Sequence, residues 1–466
     1  MIDRRSFCFC GIGGSGMMPL AVLLQKSGHL IVGSDRSYDQ GKTPEKFTAL
    51  KDIGIKILPQ DGSAVTSGID VLVVSSAIED TIPDVKSAKD LGITILTRGQ
   101  LLAELFNKAN VNIAVAGTSG KSTVTGMVAT MLFEMGEDPT VVNGGEIRNF
   151  QNEEKDKFSS IRKGREDLFV AEMDESDGSI AYYNPSIALL NNIALDHKTM
   201  AELEELFGDY LSRSGMAVIV NYDDPRVKNL CEMRSRTRII SYAIDDEFAN
   251  LVAFDLVPNV HGISFSLKAY GKVYPVSLKV PGRHNVENAL AALSVCFALG
   301  MDADSAIAGI ESFRGIHRRM EFIGTYKGIS VIDDFGHNPD KISASLNSLK
   351  SFDGRLIVMF QPHGFGPMRM MRNELVDAFA DNLGRDDILL MPEAYYAGGT
   401  VDRSVTAKHL IADLVDKGIG ARWFATRDEI MPYIKDNASE GDRIVIMGAR
   451  DDTLHVFAQD VLNLFK

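Results

Sequence analysis

Short apolar runs alternate with stretches of helical period from one end of the chain to the other. That alternation predicts an α/β fold with largely parallel sheets. The first stretch reads as a strand at Ser6–Cys10, a helix over about Met17–Ser27 and a strand at His29–Ser34. Val71–Ser75 is a further strand, followed by a helix over Pro83–Leu91, a short strand at Thr94–Leu96 and a helix from about Gly99 to Phe106. A second series opens with strand Val111–Ala116 and helix Ser122–Met135. It continues through strands Asp167–Glu172, Ile187–Asn191 and Met216–Val220, with an acidic helix at Met200–Leu211. From Ile239 to Val280 the runs shorten and alternate, which predicts an antiparallel excursion before the helix Asn285–Leu299. A third series has strands at Ile329–Asp333, Leu356–Phe360, Ile388–Met391 and Arg443–Met447. Its helices fall at Pro339–Lys350, Met371–Leu383, Thr406–Lys417 and Thr453–Phe465. Breaks at Asn107–Asn110 and Gly315–Arg318 give three expected domains, 1–106, 107–315 and 316–466. The length of 466 residues suits about three domains.

Charge narrows the function. Lys and Arg number 49 and Asp and Glu 63, a net charge of −14. A protein that coats nucleic acid or an anionic membrane carries the opposite balance. No run of 18 apolar residues predicts a membrane span, and a cytoplasmic protein is expected. Cys8, Cys10, Cys231 and Cys296 form no CxxC pair, so buried free thiols are expected rather than a disulfide framework or a cysteine zinc site.

Four local patterns carry chemistry. In Gly117-Thr118-Ser119-Gly120-Lys121-Ser122-Thr123 a strand enters a glycine turn that opens a helix. Amides at such a helix start cradle phosphates, Lys121 would neutralise the β- and γ-phosphates, and the Ser122 hydroxyl would ligate Mg²⁺. The general P-loop has a further glycine where this chain has Val115, so this is a short variant. Next, Phe169–Glu172 runs into the carboxylates Glu172, Asp174, Glu175 and Asp177, of which Glu172, first off the strand, is the Mg²⁺ candidate. A third strand leads through Asn191 and Asn192 to Asp196 and His197, and His197 is assigned to the same metal site. Last, Gly11, Gly13 and Gly16 fit GxGxxG, with Asp35 about 20 residues on. Taken alone that spacing favours NAD, but the same geometry suits any diphosphate-bearing nucleotide, a UDP-sugar being the obvious rival.

Taken with PGRHNVENALAA at 281–292, RRME at 318–321, IDDFGHNP at 332–339, FQPH at 360–363 and MGAR at 447–450, the series resembles the Mur ligases over essentially the whole chain. Within them it is most similar to the branch that adds L-alanine to UDP-N-acetylmuramate. The resemblance implies an N-terminal Rossmann-like UDP-binding domain, a central P-loop ATPase domain and a C-terminal Rossmann-like amino-acid domain. It implies an ATP- and Mg²⁺-dependent ligase of peptidoglycan synthesis, working through an acyl phosphate, as a monomer or homodimer. A relative acting on another amino acid, a peptide or a different UDP-sugar is the alternative. Carried over by position, Lys121, Glu172 and His197 would be catalytic, with Ser122, Glu172 and His197 on Mg²⁺. The loop Gly117–Thr123, Asn285, Asn288, Arg319 and Asp334 would bind ATP. Gly11, Gly13, Ser15 and Gly16, with Asp35, Ser75, Arg98, His337 and His363, would contact the substrates, which displaces the NAD reading.

The departures gather in the last third. After FQPH the family continues with Arg-Tyr-Thr-Arg, whereas this chain has Gly364-Phe365-Gly366-Pro367. Phe335 replaces a tyrosine, Asn338 a histidine, and Thr400 the glutamate of YxAGE. Either the acceptor specificity differs from L-alanine, or Arg369 or Arg372 supplies the missing cation.

Overall fold

The computed structural model describes residues 4–466 apart from 77, 152–157, 176, 195–198, 260–261, 353, 396–401, 450 and 452. His197, Asp196, Tyr396–Thr400 and Arg450 therefore lie outside the described residues. Among the described residues no helix is long and apolar enough to cross a membrane.

The chain forms three sheets. The first contains β1 (Ser6–Cys10), β2 (Leu30–Ser34), β3 (Lys56–Leu58), β4 (Val71–Val74) and β5 (Thr94–Thr97), all parallel, in the order β3-β2-β1-β4-β5. The chain leaves β1 toward β2 and returns on the other side as β4, so the carboxyl ends of β1 and β4 flank a topological switch point. The loop Gly11–Gly16 and Ser75 sit at those two ends. The central strands β1 and β4 are buried on both faces, which explains their continuous apolar runs.

The second sheet has ten strands: β6 (Val111–Ala116), β7 (Pro139–Val142), β8 (Ile161–Arg162), β9 (Arg165–Glu172), β10 (Ile187–Leu190), β11 (Ala217–Asn221), β12 (Arg238–Ala243), β13 (Leu251–Asn259), β14 (Gly262–Ala269) and β15 (Lys272–Leu278). Their order is β15-β14-β13-β12-β11-β10-β6-β9-β7-β8. Here β6 lies between β9 and β10, parallel to both. The antiparallel excursion begins later than the sequence pattern suggested. β12 is parallel to β11, with Ala217 opposite Arg238, so Ile239 belongs to the parallel sheet. β14 and β15 are neighbours joined by Tyr270 and Gly271 alone, both at positive φ, a connection only an antiparallel hairpin makes.

The third sheet contains β16 (Glu321–Tyr326), β17 (Ile329–Asp334), β18 (Leu356–Gln361), β19 (Ile388–Pro392), β20 (Ala421–Phe424) and β21 (Arg443–Gly448), ordered β16-β17-β21-β18-β19-β20. β16 is antiparallel to β17 and the rest run parallel. Separate apolar clusters line its two faces, one around Ile342, Leu346 and Phe379, the other around Ile430, Leu454 and Val461.

Two compact units result. One comprises Met1–Leu256, Phe265–Leu278 and His284–Arg314, and so holds the first sheet and most of the second. The other comprises Val257–Ser264, Lys279–Arg283 and Gly315–Lys466. Within the first unit, Phe106 packs edge-on against Phe169 and Tyr183 at 5.7 and 5.3 Å, joining the helix after β5 to the second sheet. All four cysteines are free and buried, as expected.

Candidate active site

The turn after β6 is built for close approach. Gly120 has φ +82°, and a Cβ there would fall 2.6 Å from both Asn191 Nδ2 and Asn288 Oδ1. The helix Lys121–Glu134 starts directly behind it. Lys121 Nζ folds back to donate to the Gly117 carbonyl at 2.7 Å and to both oxygens of Glu175 at 3.0 and 2.9 Å. Glu175 is 7% exposed. Burial pushes its carboxyl above the usual range, against the pull of the Lys121 ammonium. The loop amides are satisfied by the next strand end. Thr118 N–H donates to the Asn192 carbonyl at 3.2 Å, and Ser119 N–H donates to Asn192 Oδ1 at 2.8 Å. The Thr118 hydroxyl donates to the Ala194 carbonyl. An ammonium and a row of N–H groups at a helix start thus hold a carboxylate and a carbonyl, the acceptor types that a phosphate presents.

Behind the turn stands a buried amide chain. Asn191 Nδ2 donates to the Ser119 carbonyl and to Asn288 Oδ1 at 3.1 Å, Asn288 Nδ2 donates to Asn285 Oδ1 at 3.2 Å, and the buried Tyr242 hydroxyl donates to Asn191 Oδ1. Asn285 and Asn288 are 6% and 3% exposed. Their amides engage one another and the loop, so in this structure they buttress the turn.

Glu172 closes β9, opposite Val115 in register. Gly144 N–H donates to Glu172 Oε2 at 2.8 Å, while Asn143 Nδ2 donates to the Ser122 carbonyl at 3.2 Å and the Gly145 carbonyl at 2.9 Å. The segment Asn143–Gly145 therefore ties Ser122 to Glu172. The two offer a hydroxyl and a carboxylate, an oxygen set that fits Mg²⁺. Asn143 Oδ1, buried without a hydrogen-bond partner, adds a further oxygen beside them.

The first glycine loop reaches the same unit's acidic segment through Arg98. Its Nη2 lies 3.0 Å from Asp177 Oδ2 and 3.6 Å from Asp174 Oδ2, and its Cδ would be 2.8 Å from a Cβ on Gly16. Asp35 accepts from Gly13 N–H at 2.8 Å and Ser37 N–H at 2.7 Å. Both its oxygens serve the fold of the loop, whereas a dinucleotide-binding acid would turn to a ribose. Ser15 is exposed, and Gly11, Gly13, Gly16 and Ser75 are half-buried.

In the second unit, Asp334 accepts from Met320 N–H at 3.0 Å, Gly336 N–H at 3.1 Å and the Ser345 hydroxyl at 2.7 Å. Burial pushes its carboxyl up, and these bonds with the Arg319 charge pull it down. Arg319 is bracketed by Arg318 and Met320, at φ +57° and +46°. Non-glycine residues held there store strain, a signature of functional turns. His337 Nδ1 lies 2.9 Å from the Phe335 carbonyl, and its ring meets His363 edge-on at 5.1 Å.

Three family descriptions match in chain order. They are the Mur ligase family catalytic domain over residues 6–110, the Mur ligase middle domain over 115–296 and the Mur ligase glutamate ligase domain over 318–450. The UDP-N-acetylmuramate–L-alanine ligase of Agathobacter rectalis is 31% identical over 453 residues, covering 95% of this chain and 94% of its own. The chain belongs to the Mur ligase family. The fold agrees. The UDP-N-acetylmuramate–alanine ligase of Thermotoga maritima superposes with a TM-score of 0.78 at 24% identity, over 99% of each chain. A murein peptide ligase of Psychrobacter arcticus gives 0.68 at 25% identity, over 99% of this chain and 98% of that one.

In this Mur ligase the structure brings Lys121, Ser122, Glu172, Asn288 and the loop Gly117–Thr123 to one place, the carboxyl ends of β6, β9 and β10. Arg319, Asp334, His337 and His363 belong to the second unit. Sequence reasoning missed Glu175, Asn192 and Gly144. The carboxylate run and the Asn191-Asn192 pair were visible signals, but which member meets the loop depends on partners 54 and 73 residues away. The two arginines offered as substitutes are both committed elsewhere. Arg369 pairs with Asp402, and Arg372 makes a two-pronged pair with Asp413 at 2.6 and 2.8 Å.

Proposed function

We propose that this Mur ligase joins an amino acid, L-alanine foremost, to the carboxylate of UDP-N-acetylmuramate with cleavage of ATP, in the cytoplasm, as a step of peptidoglycan synthesis. The observation that carries the reading is the phosphate-shaped donor set of Lys121, Thr118 N–H and Ser119 N–H, now filled by Glu175 and Asn192. Domains 1–106, 107–315 and 316–466 would bind the UDP-sugar, ATP and the amino acid.

A carboxylate is a poor electrophile, so it must first be activated. A substrate carboxylate oxygen attacks the γ-phosphorus of ATP, the bond to the β,γ-bridging oxygen breaks, and ADP leaves. The incoming neutral amine adds to the acyl-phosphate carbonyl, loses a proton, and inorganic phosphate departs as the amide forms. Two anions must meet in the first step, so positive charge has to be supplied. Lys121 exchanges Glu175 for the β- and γ-phosphates. The helix start directs its amides at the same anions. Ser122 and Glu172, with His197, would hold Mg²⁺, which when bound screens the phosphates and the reacting carboxylate. Arg98, poised beside Gly16, would set the UDP-sugar loop against the acidic segment. Asn285 and Asn288 would bound the adenine side while supporting the loop, and Arg319 and Asp334 would reach ATP from the third domain.

A second reading has support. With Arg369 paired to Asp402 and Arg372 to Asp413, neither replaces the family's two arginines after FQPH, and the likeness to a murein peptide ligase is of similar coverage. A larger acceptor, such as a short peptide, is then the substrate. Phosphate release from ATP with UDP-N-acetylmuramate and a panel of amines decides. L-Alanine-dependent turnover supports the first reading, and turnover only with a peptide or another amino acid supports the second. No amide product with any amine refutes both.

A further inference from the structure

We propose that His317, Glu321 and His455 form a binding site for a first-row transition-metal dication of the zinc type, separate from the nucleotide site. His317 precedes β16, Glu321 is its first residue, and His455 lies in the first turn of the last helix, Leu454–Asn463. Two segments distant in sequence, 317–321 and the last helix, thus converge within the second unit. His317 Nδ1 lies 2.8 Å and His455 Nδ1 3.9 Å from the same Glu321 oxygen, and the three ligand atoms all fall within 4.8 Å of one another. Zinc bonds of about 2.0 Å in a tetrahedron place neighbouring donors ~3.3 Å apart. The two measured separations bracket that edge, so small side-chain shifts suffice.

Charge also favours a cation. Glu321 and Asp333 are both buried, at 3% and 0% side-chain exposure. Arg318 serves both: its N–H donates to Glu321 at 2.7 Å, and its guanidinium lies 3.3 Å from Asp333 while also donating to the carbonyls of Asp451 and Gly448. Two buried carboxylates with one guanidinium leave a negative charge for the imidazole pair to balance, and buried charges are paired or coordinate metals. A supporting group that orients such a ligand is present: the Gln459 side-chain amide lies 2.9 Å from His455 Nε2. Asp333 Oδ2, 3.2 Å from His455 Nδ1, faces the metal-binding nitrogen itself and offers a further oxygen there. Metal binding takes the Nδ1 lone pairs, so each imidazole carries its proton on Nε2. For His455 that proton meets Gln459, whose amide oxygen accepts it when the amide is turned. The histidines are partly exposed, at 25% and 21%, which leaves the ion a way in. A bound ion would pin the strained turn at Arg318–Met320 to the last helix. The rival arrangement is the same cluster held by hydrogen bonds alone.

The test uses the full chain, stripped with chelator and desalted, without Mg²⁺ or nucleotide. Calorimetric titration with zinc chloride should show one tight equivalent, weakened at least 100-fold in both His455→Ala and His317→Ala. Cobalt chloride should give the intense visible absorption of a tetrahedral nitrogen–oxygen site, without a thiolate charge-transfer band. Zinc binding no tighter than about 0.1 mM, or tight binding that survives both substitutions, overturns the proposal. So does a wild-type cobalt spectrum of octahedral type, which needs no variant to fold.

Discussion

On the proposed reading of Lys121 as a phosphate ligand, its ion pair with Glu175 sets a cost on nucleotide binding that one substitution removes. Glu175→Gln keeps the side-chain shape and a carbonyl acceptor for Lys121 but deletes the charge. The ammonium sits 2.9 and 3.0 Å from the two carboxylate oxygens, with side-chain exposures of 16% and 9%. Unit charges 4 Å apart interact by about 4 kcal/mol at an effective dielectric constant near 20. A hydrogen bond to the glutamine carbonyl retains about 1 kcal/mol of that, and desolvation of the carboxylate in the wild type cancels part of the remainder. A net gain of roughly 1.5–3 kcal/mol is left, a nucleotide dissociation constant about 10- to 100-fold lower. The pH dependence adds a second readout. Burial raises the Glu175 carboxyl, so protonation releases Lys121 as pH falls through that raised value. Lys121 and Asp174 are the charged groups that act on it. Wild-type affinity should therefore strengthen toward lower pH within that range, and the Glu175→Gln protein should lack this component. Calorimetry with ADP and with a non-hydrolysable ATP analogue, at fixed Mg²⁺ and several pH values, measures both effects. Unchanged or weaker binding in Glu175→Gln would refute the competition between carboxylate and phosphate.

Four further outcomes are expected. A Cβ at Gly144 would lie 2.6 Å from Glu172 Oε2, so Gly144→Ala should displace the carboxylate and raise the Mg²⁺ needed for half-maximal turnover about 10-fold; an unaltered Mg²⁺ titration argues against Glu172 as a ligand. Arg98→Ala, which loses the contacts to Asp177 and Asp174, should raise KM for the UDP-sugar more than KM for ATP. Burial lowers the His284 imidazole from 6.5 to about 4. The unfolded chain then takes up a proton that the folded one refuses, so stability present above pH 6.5 is lost as pH falls toward 4, by about 3 kcal/mol; urea unfolding of His284→Gln should show a shallower loss over that window. Burial pushes the Cys10, Cys231 and Cys296 thiols up to about 12 and Cys8 higher still, so native protein at pH 8 should resist thiol reagents and release four reactive thiols only on unfolding.

The central parallel strands were legible because they are buried on both faces and read as uninterrupted apolar runs. Val111–Ala116 matches to the residue, and Ser6–Cys10 likewise. What escaped lacks such a run. Pro44–Asp52 forms a helix with three buried residues, and β3 has three residues in all. Arg238–Ala243 falls with the alternating segment after it in the sequence pattern because its mixed polar and apolar run lacks the uninterrupted apolar stretch of the neighbouring parallel strands, although it lies inside the sheet between β11 and β13. At the site, the loop and its lysine are contiguous, so their chemistry shows in one short string. The groups that fill the loop are not: Glu175 and Asn192 follow the ends of two other strands, and only the order β9-β6-β10 brings them to Lys121 and Ser119.

That strand order bears on the charge of the whole protein. A net charge of −14 opposes the approach of nucleoside triphosphates and UDP-sugars at long range. An open cluster of cations at the loop would offset it, but would also attract any phosphate in solution. Here the donors are already satisfied by a carboxylate and an amide of the same chain, so a ligand gains only the difference between its own acceptors and theirs. A lone phosphate competes for Lys121 against a two-pronged carboxylate and brings nothing else. On the proposed reading a nucleoside triphosphate would also engage the helix amides and the groups on its adenine side, and it could repay the exchange where a single phosphate could not. On this argument displacing Glu175 costs every ligand of Lys121 the same free energy, so the Glu175→Gln protein should gain the same factor in affinity for inorganic phosphate as for ATP, and a phosphate too weakly held to compete in the wild type becomes a measurable competitor.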